Sequence, residues 1–290
     1  MQNKIILITG ATSGIGYQTA LALAKMGAHV IVTGRNAKTA EEAVSSLKSA
    51  SGNPGVDFLL ADFTQQAEIR KLAADFKQKY PRLDVLINNA GLAASERTLT
   101  PDGSESNFAV NVVAPFLLTR LLLAPLKSAP SPRVITLMGG DVPAHLDMDN
   151  LQAERSFDGL NSYSQSKLAM MAVMYEFAQR EKGVTINVCY PGQASTNMTR
   201  GVTADMLPGL MRFIFPLFKL FVRPDNGKSA AKAARSSIYL ASSPDVEGVS
   251  GQYFDTKSQK VAWPPVILDD PARQKLWGMV TGLAHVEEGR

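Results

Sequence analysis

Ile5-Ile6-Leu7-Ile8-Thr9-Gly10-Ala11-Thr12-Ser13-Gly14-Ile15-Gly16 is an aliphatic run, then a polar turn holding three glycines, then the start of an amphipathic segment. A run apolar at every position fits a strand covered on both faces. Glycines in the turn permit a tight reversal and a close approach of backbone N–H groups to a pyrophosphate, which the positive end of the next helix stabilises. Gly10, Thr12, Ser13, Gly14, Ile15 and Gly16 are therefore candidate binders of a dinucleotide.

Downstream, short aliphatic or β-branched runs alternate with helix-length amphipathic segments. Strands are expected near Ile5 to Thr9, Val30 to Thr33, Phe58 to Leu60, Val85 to Asn88, Val134 to Met138, Thr185 to Tyr190 and Gln252 to Phe254. Helices are expected near Ile15 to Lys25, Ala37 to Lys48, Gln65 to Lys79, Ser104 to Leu126, Ser162 to Arg180 and Gly227 to Leu240. Both-face-apolar strands joined by crossover helices imply an α/β, doubly wound (Rossmann) fold: a seven-stranded parallel sheet with helices on both faces. No repeat or linker interrupts the alternation, so residues 1–290 read as a single domain, with ligands beyond the carboxyl ends of the strands. Gly139 to Asn161 and Asn197 to Pro224 break the pattern, and residues 257–290 form a C-terminal extension. Long insertions at that edge shape a substrate pocket.

With 290 residues, 45% hydrophobic and 19% charged, the chain has apolar material for a large core and excludes disordered, collagenous and coiled-coil classes. One cysteine, Cys189, excludes an internal disulfide framework, and His29, His145 and His285 have no metal-ligand spacing. No metal is expected. The opening apolar run is too short for an export signal or a membrane span, so the expected setting is a reducing, cytoplasmic one. The net charge is +4, but the 30 basic and 26 acidic residues are interleaved, which argues against a nucleic-acid partner.

An acidic residue after the second strand would bind the adenosine ribose, and a basic one would pair a 2′-phosphate. The chain reads Thr33-Gly34-Arg35-Asn36, with Lys38 following and no carboxylate before Glu41. Arg35, Asn36 and Lys38 thus favour NADP(H) over NAD(H). Asp62-Phe63 and Asn89-Ala90-Gly91, after the third and fourth strands, are placed to hold adenine and the adjoining backbone.

Tyr163-Ser164-Gln165-Ser166-Lys167 places a phenol and an amine four residues apart. On a helix that spacing rises about 6 Å and puts both on one face. Tyr253 and Lys257 share the spacing but begin in an expected strand, where four residues span about 13 Å. A phenol titrates near about 10, and a nearby ammonium favours the phenolate that proton transfer needs.

The order of these motifs, with Asn88-Asn89-Ala90-Gly91, Asn111 and Pro191-Gly192-Gln193-Ala194-Ser195-Thr196, resembles the short-chain dehydrogenase/reductase superfamily over residues 4 to about 256. The tail through Val261-Ala262-Trp263 and Gln274-Lys275-Leu276-Trp277 resembles its retinol-dehydrogenase-like branch. The resemblance implies that Tyr163 is the general acid/base and that Lys167 lowers its pKa. It further implies that Asn111 holds a water in a proton relay, and that Pro191, Gly192 and Thr196 contact the nicotinamide end. It also implies a serine after the fifth strand, where this chain has Gly139 in Leu137-Met138-Gly139-Gly140-Asp141. Loss of one such donor commonly costs on the order of 10² to 10³ in rate. Ser162, Asp141, His145 and the glycine N–H groups are the candidate stand-ins.

Residues 206–223 are rich in Leu, Met, Phe and Ile with Arg212, Lys219 and Arg223 among them. They read as a lid over an apolar substrate, with a peripheral membrane contact as the competing reading. Phe108 to Leu126 with Met170, Met171, Met174 and Phe177 carries surplus apolar surface. A homodimer through that helix pair is one reading, and deeper burial within the subunit is the other. The resulting expectation is an NADP(H)-dependent oxidoreductase acting on the carbonyl or alcohol of a hydrophobic small molecule. The alternatives are a non-redox dehydratase, isomerase or cyclase using Tyr163, and a non-catalytic NADP(H)-binding protein.

Overall fold

A computed structural model describes residues 1–140, 142–192 and 227–286. The first strand, β1 (Ile5–Ile8), shows why the fold forms. Ile6 and Ile8 point into one apolar layer and Leu7 into the other, all three fully buried. Alternate side chains of one strand thereby feed two cores, which requires helices on both faces.

The layer receiving Ile6 and Ile8 is closed by α1 (Gly14–Lys25) and α2 (Ala37–Ser51), through Leu23, Ala24 and Leu47. The layer receiving Leu7 is closed by α3 (Gln66–Lys79) and by helices from the second half of the chain. The other parallel strands are β2 (His29–Gly34), β3 (Val56–Leu60), β4 (Val85–Asn88), β5 (Arg133–Leu137), β6 (Thr185–Cys189) and β7 (Tyr253–Phe254).

The sheet order is β3-β2-β1-β4-β5-β6-β7-β8, so the chain reverses its direction of travel between β1 and β4. A crevice opens at the carboxyl ends of those two strands. The expected doubly wound α/β fold is present, with one more strand than the expected seven. Lys260–Val261 forms β8, which runs antiparallel beside β7. Two residues carry too little periodicity to be read from sequence.

The segment expected as one helix from Ser104 to Leu126 is broken. A turn at Ser106–Phe108 (α4) passes into a π-helical turn, Ala109–Val113, then α5 (Ala114–Leu121) and α6 (Leu123–Lys127). Pro115 has no N–H for the Asn111 carbonyl four residues back, which is the bond an α-helix would need there. π-turns of this kind recur at functional sites.

Next comes α7 (Gly159–Arg180), capped by Asp158, whose side chain accepts from Asn161 N at 2.8 Å. The helix expected over Gly227 to Leu240 is two: α8 (Lys228–Ala233) and α9 (Arg235–Ser242), with Ala234 between them.

The C-terminal extension is part of the fold. Helix α10 (Asp270–Leu283) packs Leu276, Trp277 and Val280 into the same layer as Met170, Met171, Met174 and Phe177. Trp277 meets Phe116 and Phe177 edge-on, with ring centroids 5.1 and 5.5 Å away. The surplus apolar surface read from the sequence is thus covered by the chain itself.

Polar contacts fix the helix in place. Glu176 of α7 accepts from Arg273 at 2.7 Å, from Arg180 at 2.6 Å and from Gln274 at 3.0 Å. At the other end, Gln66 and Arg70 of α3 donate to the Leu283 and Ala284 carbonyls at 2.6 and 2.7 Å. Among the described residues no helix is long and apolar enough to cross a membrane.

Candidate active site

The glycine turn lies at the topological reversal. Gly10 and Gly14 take positive φ, +62° and +59°, a backbone region costly for residues with a side chain. A Cβ at Gly16 would stand 2.5 Å from Asn89 Nδ2 and 2.8 Å from the Gly10 oxygen, so only glycine lets α1 close on the end of β4. Thr9 and Asn89 lock the two strand ends together. The Thr9 hydroxyl accepts from Asn89 N and Ala90 N at 3.0 and 2.9 Å, and Asn89 Nδ2 donates to Thr9 O at 2.8 Å.

Helix α1 begins at Ser13 with no side-chain cap and no acid in its first turn. Its leading N–H groups and dipole suit an anion. Thr12 packs over the end of β2, since a Cβ at Gly34 would meet its methyl at 2.7 Å. Arg35 and Lys38 therefore follow a strand end that the turn itself touches. Both are exposed, and neither makes an ion pair with a described residue. This donor set, with no carboxylate beside it, fits a 2′-phosphorylated dinucleotide.

Asn36, expected on the cofactor, also caps α2, its Oδ1 accepting from Thr39 N at 3.1 Å. Asp62 folds its own loop by accepting from Thr64 N and the Thr64 hydroxyl at 3.0 and 2.9 Å. Phe63 is buried beneath that loop. Ala90 abuts Gly10, whose added Cβ would come 3.0 Å from the Ala90 Cα, and Gly91 continues that turn.

Asn111 sits on the π-turn and is 1% exposed. Its Oδ1 accepts from Leu92 N at 2.9 Å, and its Nδ2 donates to Leu92 O at 2.8 Å and to Ser166 Oγ at 2.9 Å. Ser166 Oγ donates in turn to the Tyr163 carbonyl at 2.7 Å. One turn earlier, Asn107 Oδ1 accepts from Ala94 N at 2.9 Å. The two asparagines hold the loop after β4 against α7. The sequence reading passed over Asn107 and Ser166, although Asn107 stands four residues before Asn111 on the same face.

Helix α7 carries Tyr163 and Lys167 to the end of β5. Lys167 is 5% exposed and donates to the Leu137 carbonyl at 3.1 Å. The Tyr163 ring lies on Gly139 and Gly140. A Cβ placed on Gly139 would overlap the Tyr163 hydroxyl oxygen, while Tyr163 Cζ and Lys167 Cε would stand 3.6 and 3.9 Å from it. Phenol and amine thus converge on one point, as their helical spacing implies.

Burial pushes the Tyr163 hydroxyl up to about 12, with the neighbouring Tyr190 adding to the rise. Burial also brings the Lys167 amine down to about 8. In the chain alone burial dominates both groups, so the phenol holds its proton at neutral pH.

Among the candidate stand-ins, Ser162 N bonds to Asp158 O at 2.7 Å within the first turn of α7, and the His145 side chain is exposed. Asp141, Thr196 and the 206–223 segment lie outside the described residues, as does the rest of 193–226. Pro191 is buried, and Gly192 has φ +80° with Thr256 against it. Tyr253 starts its expected strand, which removes the second Tyr–Lys pair.

Known proteins resemble this chain. The family described as short chain dehydrogenase matches residues 4–207. Retinol dehydrogenase 14 of Mus musculus is 40% identical, over 96% of this chain and 84% of its own length. Polyprenol dehydrogenase of Homo sapiens is 36% identical, over 98% and 87%. A short chain dehydrogenase from Shigella flexneri 2a, solved in complex with NADP, superposes with a TM-score of 0.66 at 25% identity, over 89% of this chain and 98% of that one. The glycine turn at a sheet reversal, the helical Tyr163–Lys167 pair and these matches agree: the chain belongs to the short-chain dehydrogenase family and is an oxidoreductase of that type.

Proposed function

We propose that this protein is an NADP(H)-dependent oxidoreductase that moves hydride to or from the carbonyl or alcohol carbon of a hydrophobic small molecule, with Tyr163 handling the proton. The observation that carries the reading is the convergence of the Tyr163 hydroxyl and the Lys167 side chain at the end of β5, beside the crevice between β1 and β4.

The α1 N-terminus and the glycine turn would hold the pyrophosphate, and Arg35 with Lys38 the 2′-phosphate. Bound NADP(H) supplies or accepts the hydride. A neutral Tyr163, kept protonated by its burial, is a proton donor to a carbonyl oxygen. Lys167, with a pKa of about 8, remains cationic at neutral pH and would stabilise the phenolate left behind. Asn111, through Ser166, fixes the turn of α7 that carries the phenol. The retinol and polyprenol named for two relatives support a hydrophobic substrate.

The test is turnover of a lipophilic aldehyde or ketone with NADPH, followed by nicotinamide absorbance. Tyr163→Phe should abolish turnover while NADPH still binds. Product formed with no change in coenzyme redox state would overturn the reading.

A further inference from the structure

We propose that Gly139 is a positioning residue for Tyr163: its missing side chain leaves the space the phenol hydroxyl occupies, so a side chain at 139 must shift that hydroxyl from its present place. The inference rests on the oxidoreductase reading for its catalytic half and on packing alone for its structural half.

The contact is specific to one atom. A Cβ on Gly139 would overlap Tyr163 Oη, whereas Cζ, the atom that bears the hydroxyl, stays at 3.6 Å, an ordinary contact. Gly139 has no positive φ, so alanine or serine there meets no backbone strain and the obstruction is the hydroxyl itself. Gly140 completes the cradle. It has φ +77°, and a Cβ on it would reach Tyr163 Cε1 at 2.9 Å and Cδ1 at 3.2 Å. The two glycines form a flat shelf at the end of β5 on which the ring lies flush, close to Lys167.

A serine at 139 therefore restores no carbonyl donor. It shifts the phenol tip from its place beside the amine. Alanine and serine are expected to act alike, because the overlap is with the Cβ that both share.

The experiment is a thermal double-mutant cycle read beside kinetics. Gly139→Ala should lower Tm by several degrees in the natural background and leave it unchanged in Tyr163→Phe, where the obstructing oxygen is gone. In the natural background both Gly139→Ala and Gly139→Ser should lower kcat at least tenfold with the NADPH dissociation constant unchanged. The limb of the kcat–pH profile that reports the phenol should move to lower pH as the ring leaves its buried seat. An equal Tm loss in both backgrounds, or a Gly139→Ser enzyme faster than Gly139→Ala, would overturn the inference. If the natural chain turns over no carbonyl substrate the functional reading fails, yet the Tm cycle still decides the packing claim.

Discussion

Lys167 Nζ and the carbonyl of Leu137 lie 3.1 Å apart, joining the middle of α7 to the last residue of β5. Among the described residues that carbonyl is the acceptor the buried Lys167 Nζ bonds, and burial lowers the amine pKa from 10.5 to about 8. An amine with a depressed folded pKa costs the folded state most below pH 8, where it is charged in both states. Between pH 8 and 10 the unfolded chain keeps that proton and the folded chain has lost it, so stability rises with pH. The rise from this one group is roughly 2 to 3 kcal/mol. Urea denaturation across that window should show the slope in the natural chain and a flatter one in Lys167→Met. Equal slopes would refute the assignment.

Ser166 links Asn111 to the Tyr163 backbone. Ser166→Ala should cost about 1 kcal/mol, and Asn111→Leu, which strands both Leu92 backbone groups, about 3 kcal/mol. Both should lower kcat more than they weaken NADPH binding, because the bonds orient α7 and not the glycine turn. Equilibrium unfolding and steady-state kinetics on the same preparations separate the two effects.

Arg35→Ala should weaken NADPH binding about tenfold or more and leave NADH binding nearly unchanged, because only one coenzyme presents a phosphate to the guanidinium. The preference should also shrink as salt rises. Titration of both coenzymes by fluorescence checks it. An equal loss for both would place Arg35 elsewhere.

Burial raises the Glu176 carboxyl, but hydrogen bonds from Arg273, Arg180 and Gln274 outweigh it and hold the pKa below the usual range. A depressed carboxyl stabilises the fold above its unfolded value, and that contribution is lost as pH falls through the folded one. Glu176→Ala takes from Arg273, 9% exposed, one of two carboxylates, leaving Asp270 and the Ile267 carbonyl, and should cost about 2 kcal/mol. The variant should also free α10 early, seen as faster amide exchange over Asp270–Leu283. Protection equal to that of the natural chain would count against the docking role.

The sequence reading succeeded where a residue's chemistry and its period coincide. Strand β1 could be read because four consecutive aliphatic residues are ended by Thr9-Gly10, and α7 because Tyr163, Lys167 and the methionines keep helical spacing. It failed where a tertiary partner decides. Nothing local in Lys260–Val261 marks a strand, since β7 supplies its hydrogen bonds. Helix α10 did leave a signal: Asp269 before Asp270-Pro271, then Leu276, Trp277, Val280 and Leu283 at helical intervals. Gly139 was legible as a departure from a family pattern. Its physical meaning needed the neighbouring ring, which lies 24 residues further along the chain. Asn36 was read for its place beside Arg35, and its part in capping α2 went unread.

The antiparallel pair β7–β8 has a further effect at the sheet's margin. Both β8 residues are exposed, one is Lys260, and within a few residues Pro264 and Pro265 remove two backbone donors. A strand this short and charged is a poor template for another molecule's strand, so the parallel array ends in a blunt border that discourages chains from zipping together side by side.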